Sequence, residues 1–167
     1  QRTYDSPVSI ADIAASIGAG LAKAAIAGSV DGKLVDTFYT VNHDASVRII
    51  TDRDPEGLEI IRHSTAHLLA HAVKTLFPSA QVTIGPVIEN GFYYDVDLGG
   101  RSFSQDEFKQ VEDKMLELAR TKSDYKRQEV SKSDAFAYFT EKGDEYKLDL
   151  IKDLADGTIT FYTQRSE

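Results

Sequence analysis

The sequence predicts an α+β protein in two units, residues 1–52 and 53–167. Three observations carry that reading. A short helical period opens the chain and gives way to apolar and β-branched runs around an Asp-Gly turn. An Asp- and Pro-rich joint at residues 52–57 precedes a second, much longer helical pattern. That pattern then switches to two alternating runs, QVTIGPVI and GFYYDVDL, separated by Glu89-Asn90-Gly91. A length of 167 residues suits one average domain or two small ones.

In the first unit Ser9 is placed to cap a helix whose apolar positions are Ile10, Ile13, Ala14 and Ile17. Gly18 and Gly20 are expected to break it. Val30-Asp31-Gly32-Lys33 reads as a hairpin turn, and Val47–Thr51 (VRIIT) as the closing strand. A helix packed on a short sheet is the expected product. No first strand is evident before Tyr4, so the sheet reads as incomplete or as continued upstream. The chain starts on Gln1 rather than Met, and is read as a fragment or a processed product.

In the joint, Asp54 can cap and Pro55 suits a first helical turn. The helix is predicted over about residues 56–77 and is stopped by Phe77-Pro78-Ser79. It carries His63, His67 and His71 at four-residue spacing, a slowly drifting stripe on one side. Asn90-Gly91 predicts a hairpin. Gly99-Gly100 marks a turn, and Ser104-Gln105-Asp106-Glu107 is a capping box. The helix it opens places Phe108, Val111, Met115, Leu118 and Ala119 on one face, with Lys109, Glu112, Asp113, Lys114 and Glu117 solvated. A strand follows at 125–130. A helix through Phe136 and Phe139 is capped by Ser131 or Ser133 and ended by Gly143. A short helix at 144–154, a turn at Asp156-Gly157 and a strand at 158–163 complete the unit. Phe161 and Tyr162 lie on a strand whose edge is expected to be unpaired, an association hazard.

Composition excludes several functions. No segment approaches the ~20 apolar residues of a membrane span. A net charge of −8 opposes a general nucleic-acid coat, though not a local contact with one RNA end. With no cysteine there is no disulfide, thiolate zinc site or thiol nucleophile. These features, with no secretory signal in view, point to the cytoplasm and to no membrane partner.

The candidate site residues have plain readings beside functional ones. His63 and His67 have the geometry of a metal pair, but Ser64 stands where HExxH would place Glu, and two imidazoles make half a tetrahedral site. As a plain reading they are half-exposed positions on an amphipathic helix. His71, between Ala70 and Ala72, reads as structural, and His43 as a surface residue. Strand alternation puts Tyr93 and Tyr94 on opposite faces. Gly85-Pro86 inside a strand-like run suggests a bulge or a ligand-facing bend. Lys147 fits equally a pocket ammonium or a solvated helix charge.

The run HSTAHLLAHAVKTLFPSAQVTIGPVIENGFYYDVDL resembles the editing domain of bacterial threonyl-tRNA synthetases. The upstream DIAASIGAGLAKAAIAGSVDGKLVD, VRIIT and EGLEIIRHS resemble the preceding TGS domain and its junction, and GDEYKLDLI also matches. The resemblance covers essentially the whole chain. The HxxxH helix alone is shared with alanyl-tRNA synthetase editing domains and their free-standing relatives. The resemblance implies a ubiquitin-like β-grasp TGS domain lacking its first strand, at 1–52. A second-sieve editing domain, truncated at its C-terminal end, follows at 53–167. Serine lacks one methyl group of threonine, a difference that binding discriminates by only about 1–3 kcal/mol, so mischarged seryl-tRNA(Thr) must be hydrolysed at a second site.

By that resemblance His63 would orient or deprotonate the attacking water, or bind the ribose hydroxyl beside the ester. His67 would position the substrate or His63. Tyr94 and Lys147 would line the pocket, and the Gly85-Pro86 backbone would contact the terminal adenosine. The family pattern continues with a C-x-x-x-H element that is not in this sequence, so this polypeptide alone is expected to be inactive or very weak. ATP, magnesium and zinc are implied for a catalytic domain that the sequence lacks, and no cofactor is expected here. The implied partner is the tRNA(Thr) 3′ end, with homodimerisation through domains absent from this chain. Two alternatives remain. One is a non-catalytic RNA- or ligand-binding module. The other is a zinc-dependent alanyl-type trans-editing hydrolase, which would need two further ligands.

Overall fold

The structure is a computed structural model of residues 1–167, described at all positions except 84, 122–124, 156 and 165–167, with no side-chain description at 125–127 and 162–164. It divides into two compact units, Gln1–Ser64 and Thr65–Glu167. Among the described residues no helix is long and apolar enough to cross a membrane.

The first unit opens with β1 (Val8–Ser9) and α1 (Ile10–Ile17), whose N-cap is Ser9, accepting from the Asp12 N–H. Ile10, Ile13 and Ala14 are buried, whereas Ile17, predicted on the same face, is 48% exposed. Gly18 ends α1, but Gly20 breaks nothing: it lies inside α2 (Ala19–Ala24). One glycine suffices for the turn, and Leu21, Ala22 and Lys23 favour resuming the helix. β2 (Ala25–Val30) and β3 (Lys33–Asp36) form the expected hairpin, Val30 opposite Lys33. Asp31 and Gly32 hold φ of 49° and 84°, the two positive values that an Asp-Gly hairpin turn supplies. β4 (Thr40–Val41) pairs antiparallel with β1, and β5 (Val47–Thr51) pairs with β2, giving a sheet in the order β3-β2-β5. Ile10, Ile13, Val30 and Val41 form the core of this unit. Ile10 packs where Gly28 presents no side chain; a Cβ there would meet its methyl at 2.8 Å.

Helix α3 (Pro55–Leu76) begins as the Asp-Pro joint predicts. The Asp54 carbonyl accepts the Leu58 N–H, while its carboxylate turns back to the backbone and hydroxyl of Thr51. Its helix-side neighbour Gly57 is buried against Thr51, whose carbonyl oxygen would stand 1.9 Å from an added Cβ.

In the second unit, Lys74 donates to the carbonyls of Pro78 and Ala80, closing the end of α3 onto β6 (Gln81–Val82). β7 (Val87–Ile88) and β8 (Gly91–Phe92) pair with Ile88 opposite Gly91. The hairpin loop is therefore Glu89-Asn90, with Gly91 already in the strand rather than in the turn. β6 pairs with β9 (Val96–Asp97), after which Gly99 and Gly100 turn at φ 75° and 82°.

The capping box is formed in full on α4 (Gln105–Arg120). Val111 and Leu118 are buried and Met115 packs beside them, but Ala119 faces solvent and Phe108 is half-exposed, stacked on Phe103. The buried stripe is thus narrower than the predicted five positions. Ala72, Val73, Ala80, Val82, Val111 and Leu118 make one core joining α3, the β6–β9 ribbon and α4.

β10 (Tyr125–Ser131) leads through the Ser131 cap into α5 (Lys132–Lys142), which Gly143 ends at φ 66°. α6 (Glu145–Asp153) and β11 (Thr158–Gln164) follow, and β11 pairs along its length with β10. The predicted Asp156-Gly157 turn has Asp156 outside the described residues, as is the side chain of Tyr162. Phe161 stacks with Tyr138 and Phe139 of α5 at 5.6 and 5.4 Å.

Two outcomes follow. Gly57→Ala would stabilise an exposed helix by about 1 kcal/mol. Here the clash with Thr51 reverses the sign, and chemical denaturation is expected to show a loss of about 1–3 kcal/mol. Glu107, held by Arg101 and then by the Ser104 N–H, has its pKa pulled down to about 2. Its contribution is fully present above the ordinary carboxylate value near 4.5 and is lost as pH falls through about 2. Acid-melting curves of the parent and Glu107→Gln should converge across that window.

Candidate active site

The β6–β9 ribbon builds the site. Its pleat sends Val82 and Val96 into the core, and Gln81, Thr83, Asp95 and Asp97 to the opposite face. The ladder is carried on by Thr83 N–H to Asp95 C=O at 3.1 Å, then by Tyr93 N–H to Pro86 C=O at 3.4 Å. Between those bonds Gly85, among the described residues, lies outside the paired strands. The Tyr94 ring lies against it: a Cβ on Gly85 would stand 2.3 Å from two ring carbons. Gly85 is therefore required by a close approach, as the Gly85-Pro86 pattern predicted. Tyr93 is 51% exposed, while Tyr94 packs on the core. Alternation separated the pair as expected.

Helix α6 brings the other half. Asp144 is its N-cap, accepting the Lys147 N–H at 3.1 Å, and its own N–H bonds to Phe139 C=O of the preceding helix. From the first turn Lys147 reaches back to the ribbon, where its ammonium donates to Thr83 C=O at 2.7 Å. Lys147 is half-buried. Burial pushes the Lys147 ammonium below its ordinary range, an effect that the Asp144 carboxylate opposes. Burial, then the same carboxylate, pushes the Tyr94 phenol up.

Thr83, Tyr94, Asp95, Val96, Asp97 and Tyr146 line an open groove beside this contact. Asp97 accepts from Gly99 N–H at 2.7 Å and from Gly100 N–H, and Tyr146 hydroxyl reaches it at 3.4 Å. The Gly99 and Gly100 bonds, then Tyr146, hold its carboxyl below the usual range.

The fold therefore brings Gly85, Pro86, Tyr94 and Lys147 into one neighbourhood of the second unit. His63 and His67 are exposed on α3, one turn apart, and His71 is half-buried as expected. Leu68 and Leu69, just after His67, pack on the cluster that holds Tyr94. His43 is on the surface beside Asp31, 3.5 Å away. Among the described residues no three His, Cys, Asp or Glu side chains converge as metal ligands.

Sequence reasoning missed Thr83, Asp97 and Tyr146. Alternation along QVT and DVD would have placed the first two on one face. Nothing local signals that Tyr146, some fifty positions away, meets that face.

A TGS domain matches residues 1–51. Three of the most similar relatives are called threonine–tRNA ligase. That of Alkalilimnicola ehrlichii is 52% identical over 165 residues, 98% of this chain and 26% of that protein. That of Burkholderia multivorans is 53% identical over 155 residues, 93% of this chain and 24% of that protein. That of Herminiimonas arsenicoxydans is 53% identical over 165 residues, again 98% and 26%. The chain spans about a quarter of the length of the curated relatives it matches. With a TGS domain at its start and about half of its residues identical across nearly its whole length, the chain belongs with the N-terminal region of the bacterial threonyl-tRNA synthetases.

Proposed function

We propose that the second unit supplies part of a proofreading site that hydrolyses seryl-tRNA(Thr), within a synthetase that charges tRNA with threonine. The observation that carries this reading is the Lys147 ammonium, held half-buried on Thr83 C=O in the neighbourhood where Tyr94 folds over Gly85. A desolvated cation and a phenol next to an open groove can hold an ester carbonyl and the negative charge that develops on its oxygen when water adds. Imidazoles supply the missing proton chemistry, since the unprotonated ring nitrogen of one can accept a proton from water. His63 is assigned to orient or deprotonate the water, or to bind the neighbouring ribose hydroxyl, and His67 to position it or the substrate. The Gly85-Pro86 backbone is assigned to the terminal adenosine.

The partner in this reading is the 3′ end of tRNA(Thr). The rest of such a synthetase would bring ATP, magnesium and zinc and would form the homodimer, in the cytoplasm. Selectivity would come from exclusion: a pocket shaped for serine has no room for one more methyl group, and over-packing of that kind typically costs about 1–3 kcal/mol.

In a synthetase carrying this sequence as its N-terminal region, His63→Ala and Lys147→Ala are each expected to slow deacylation of Ser-tRNA(Thr) by about 10²–10⁴-fold. Aminoacylation with threonine should be unaffected. Parental deacylation rates in both variants would refute the assignment. Gly85→Ala is expected to displace the Tyr94 ring, lowering stability by about 1–3 kcal/mol and deacylation with it; denaturant melts and the same assay read both.

A further inference from the structure

Two hydrogen bonds, among the described residues, join α6 to the ribbon, and consecutive side chains make them. Tyr146 hydroxyl donates to Asp97 Oδ2 at 3.4 Å, and Lys147 ammonium donates to Thr83 C=O at 2.7 Å. Asp97 stands opposite Gln81, and Thr83 N–H bonds to Asp95 C=O, so the two acceptors lie two rungs apart, about 7 Å along the ribbon. Consecutive side chains leave a helix about 100° apart around its axis. One such bond alone is a pivot about which the first turn of α6 can roll; the second fixes the roll. Asp97 is aimed independently of α6. Its Oδ1 takes the Gly99 and Gly100 N–H groups at 2.7 and 3.2 Å, from a turn that both glycines make at positive φ. A carboxylate has two acceptor oxygens, so Oδ2 is left for Tyr146. Lys147 has no comparable rigidity: it is a point charge on a flexible four-carbon stem, and its acceptor is a neutral carbonyl. The Tyr146 ring lines the groove and is 43% exposed, so packing alone does not hold it.

We propose that Tyr146 is a positioning residue of this site: its hydroxyl, latched onto the Asp97 carboxylate, sets the roll of α6 and so keeps the neighbouring Lys147 ammonium on the Thr83 carbonyl beside the groove. The inference rests on the proofreading reading for its purpose, and on the two hydrogen bonds for its test. Tyr146 touches no reacting atom; it acts through Lys147. A charge displaced by about 1 Å from where negative charge develops can cost up to about 10²-fold in rate, and the second anchor prevents that displacement.

Tyr146→Phe keeps the ring and deletes only the hydroxyl. In the 167-residue chain, ¹H–¹⁵N NMR would follow hydrogen exchange of the Lys147 ammonium, assigned with Lys147→Arg. An ammonium held on a carbonyl exchanges slowly with water. In Tyr146→Phe that exchange should quicken by about 3–10-fold, the range that loss of one hydrogen bond allows, with a melting temperature close to that of the parent. Asp97→Ala should quicken it at least as much and also lower the melting temperature, because it frees the Gly99-Gly100 turn. The double variant should exchange no faster than Asp97→Ala alone, because both changes remove the same bond. Unchanged exchange in Tyr146→Phe, or effects of the two changes that multiply in the double variant, would overturn the proposal. In a synthetase carrying this sequence as its N-terminal region, Tyr146→Phe should lower kcat for Ser-tRNA(Thr) deacylation by a similar factor and leave KM near the parental value. A merely structural contact predicts parental kcat with lowered thermal stability. If Lys147→Ala slows deacylation and Tyr146→Phe does not, the positioning role is overturned while the proofreading reading stands. If Lys147→Ala has no effect, the proofreading reading is overturned, and the exchange measurement decides the latch by itself.

Discussion

The second unit depends on the burial of one stripe of α3 against the β6–β9 ribbon. Ala72 and Val73 are essentially sealed from water, and Val82, Val111 and Leu118 close over them. At about 25 cal/mol per Å² of apolar surface, each such side chain contributes on the order of 1–3 kcal/mol, the scale on which short two-residue strands can be held at all. β6 and β9 form only two paired positions. Isolated, a ribbon that short would not persist in water. Small residues at Ala72 and Ala80 let the backbone come close enough for Val82 and Val96 to bury, and that packing orients everything on the other face of the ribbon.

The polar face is therefore a consequence of the apolar one. Once Val82 and Val96 point inward, the period-2 pleat leaves Thr83, Asp95 and Asp97 outward. Lys74, donating to two carbonyls after the helix, makes the sharp return that aligns α3 with β6. Gly85 then follows from the bulk of Tyr94, which needs the space a side chain would fill.

The first unit follows a different logic. Its central strand is covered on both faces: Ala27, Gly28, Ser29 and Val30 are all buried. Small residues there let Ile10 descend onto the sheet, so that a core of a few aliphatic side chains suffices. Gly57 repeats the device at the root of α3, where a helix backbone passes within contact of the Thr51 carbonyl. In both places glycine is selected by proximity and not by a positive φ.

Local chemistry was legible wherever neighbours along the chain decide the outcome. The Ser9 and Ser104 caps, the Asp31-Gly32 turn, the Asp-Pro start of α3 and the Gly143 stop were readable, and the Ser131 cap was one of two candidates with Ser133, because each is a bond or a dihedral settled within four residues. The interruption expected at Gly85-Pro86 was readable too, because a glycine and a proline inside a strand-like run disturb regular pairing. Extent was harder: Gly20, Ile17, Phe108 and Ala119 were misplaced because the width of a buried face is set by what packs on it. Tertiary structure alone decided that Lys147 crosses 64 positions to reach Thr83, that Tyr146 meets Asp97, and that Tyr94 lies on Gly85. Such contacts depend on where the apolar core places two distant backbones, and no local periodicity encodes that distance.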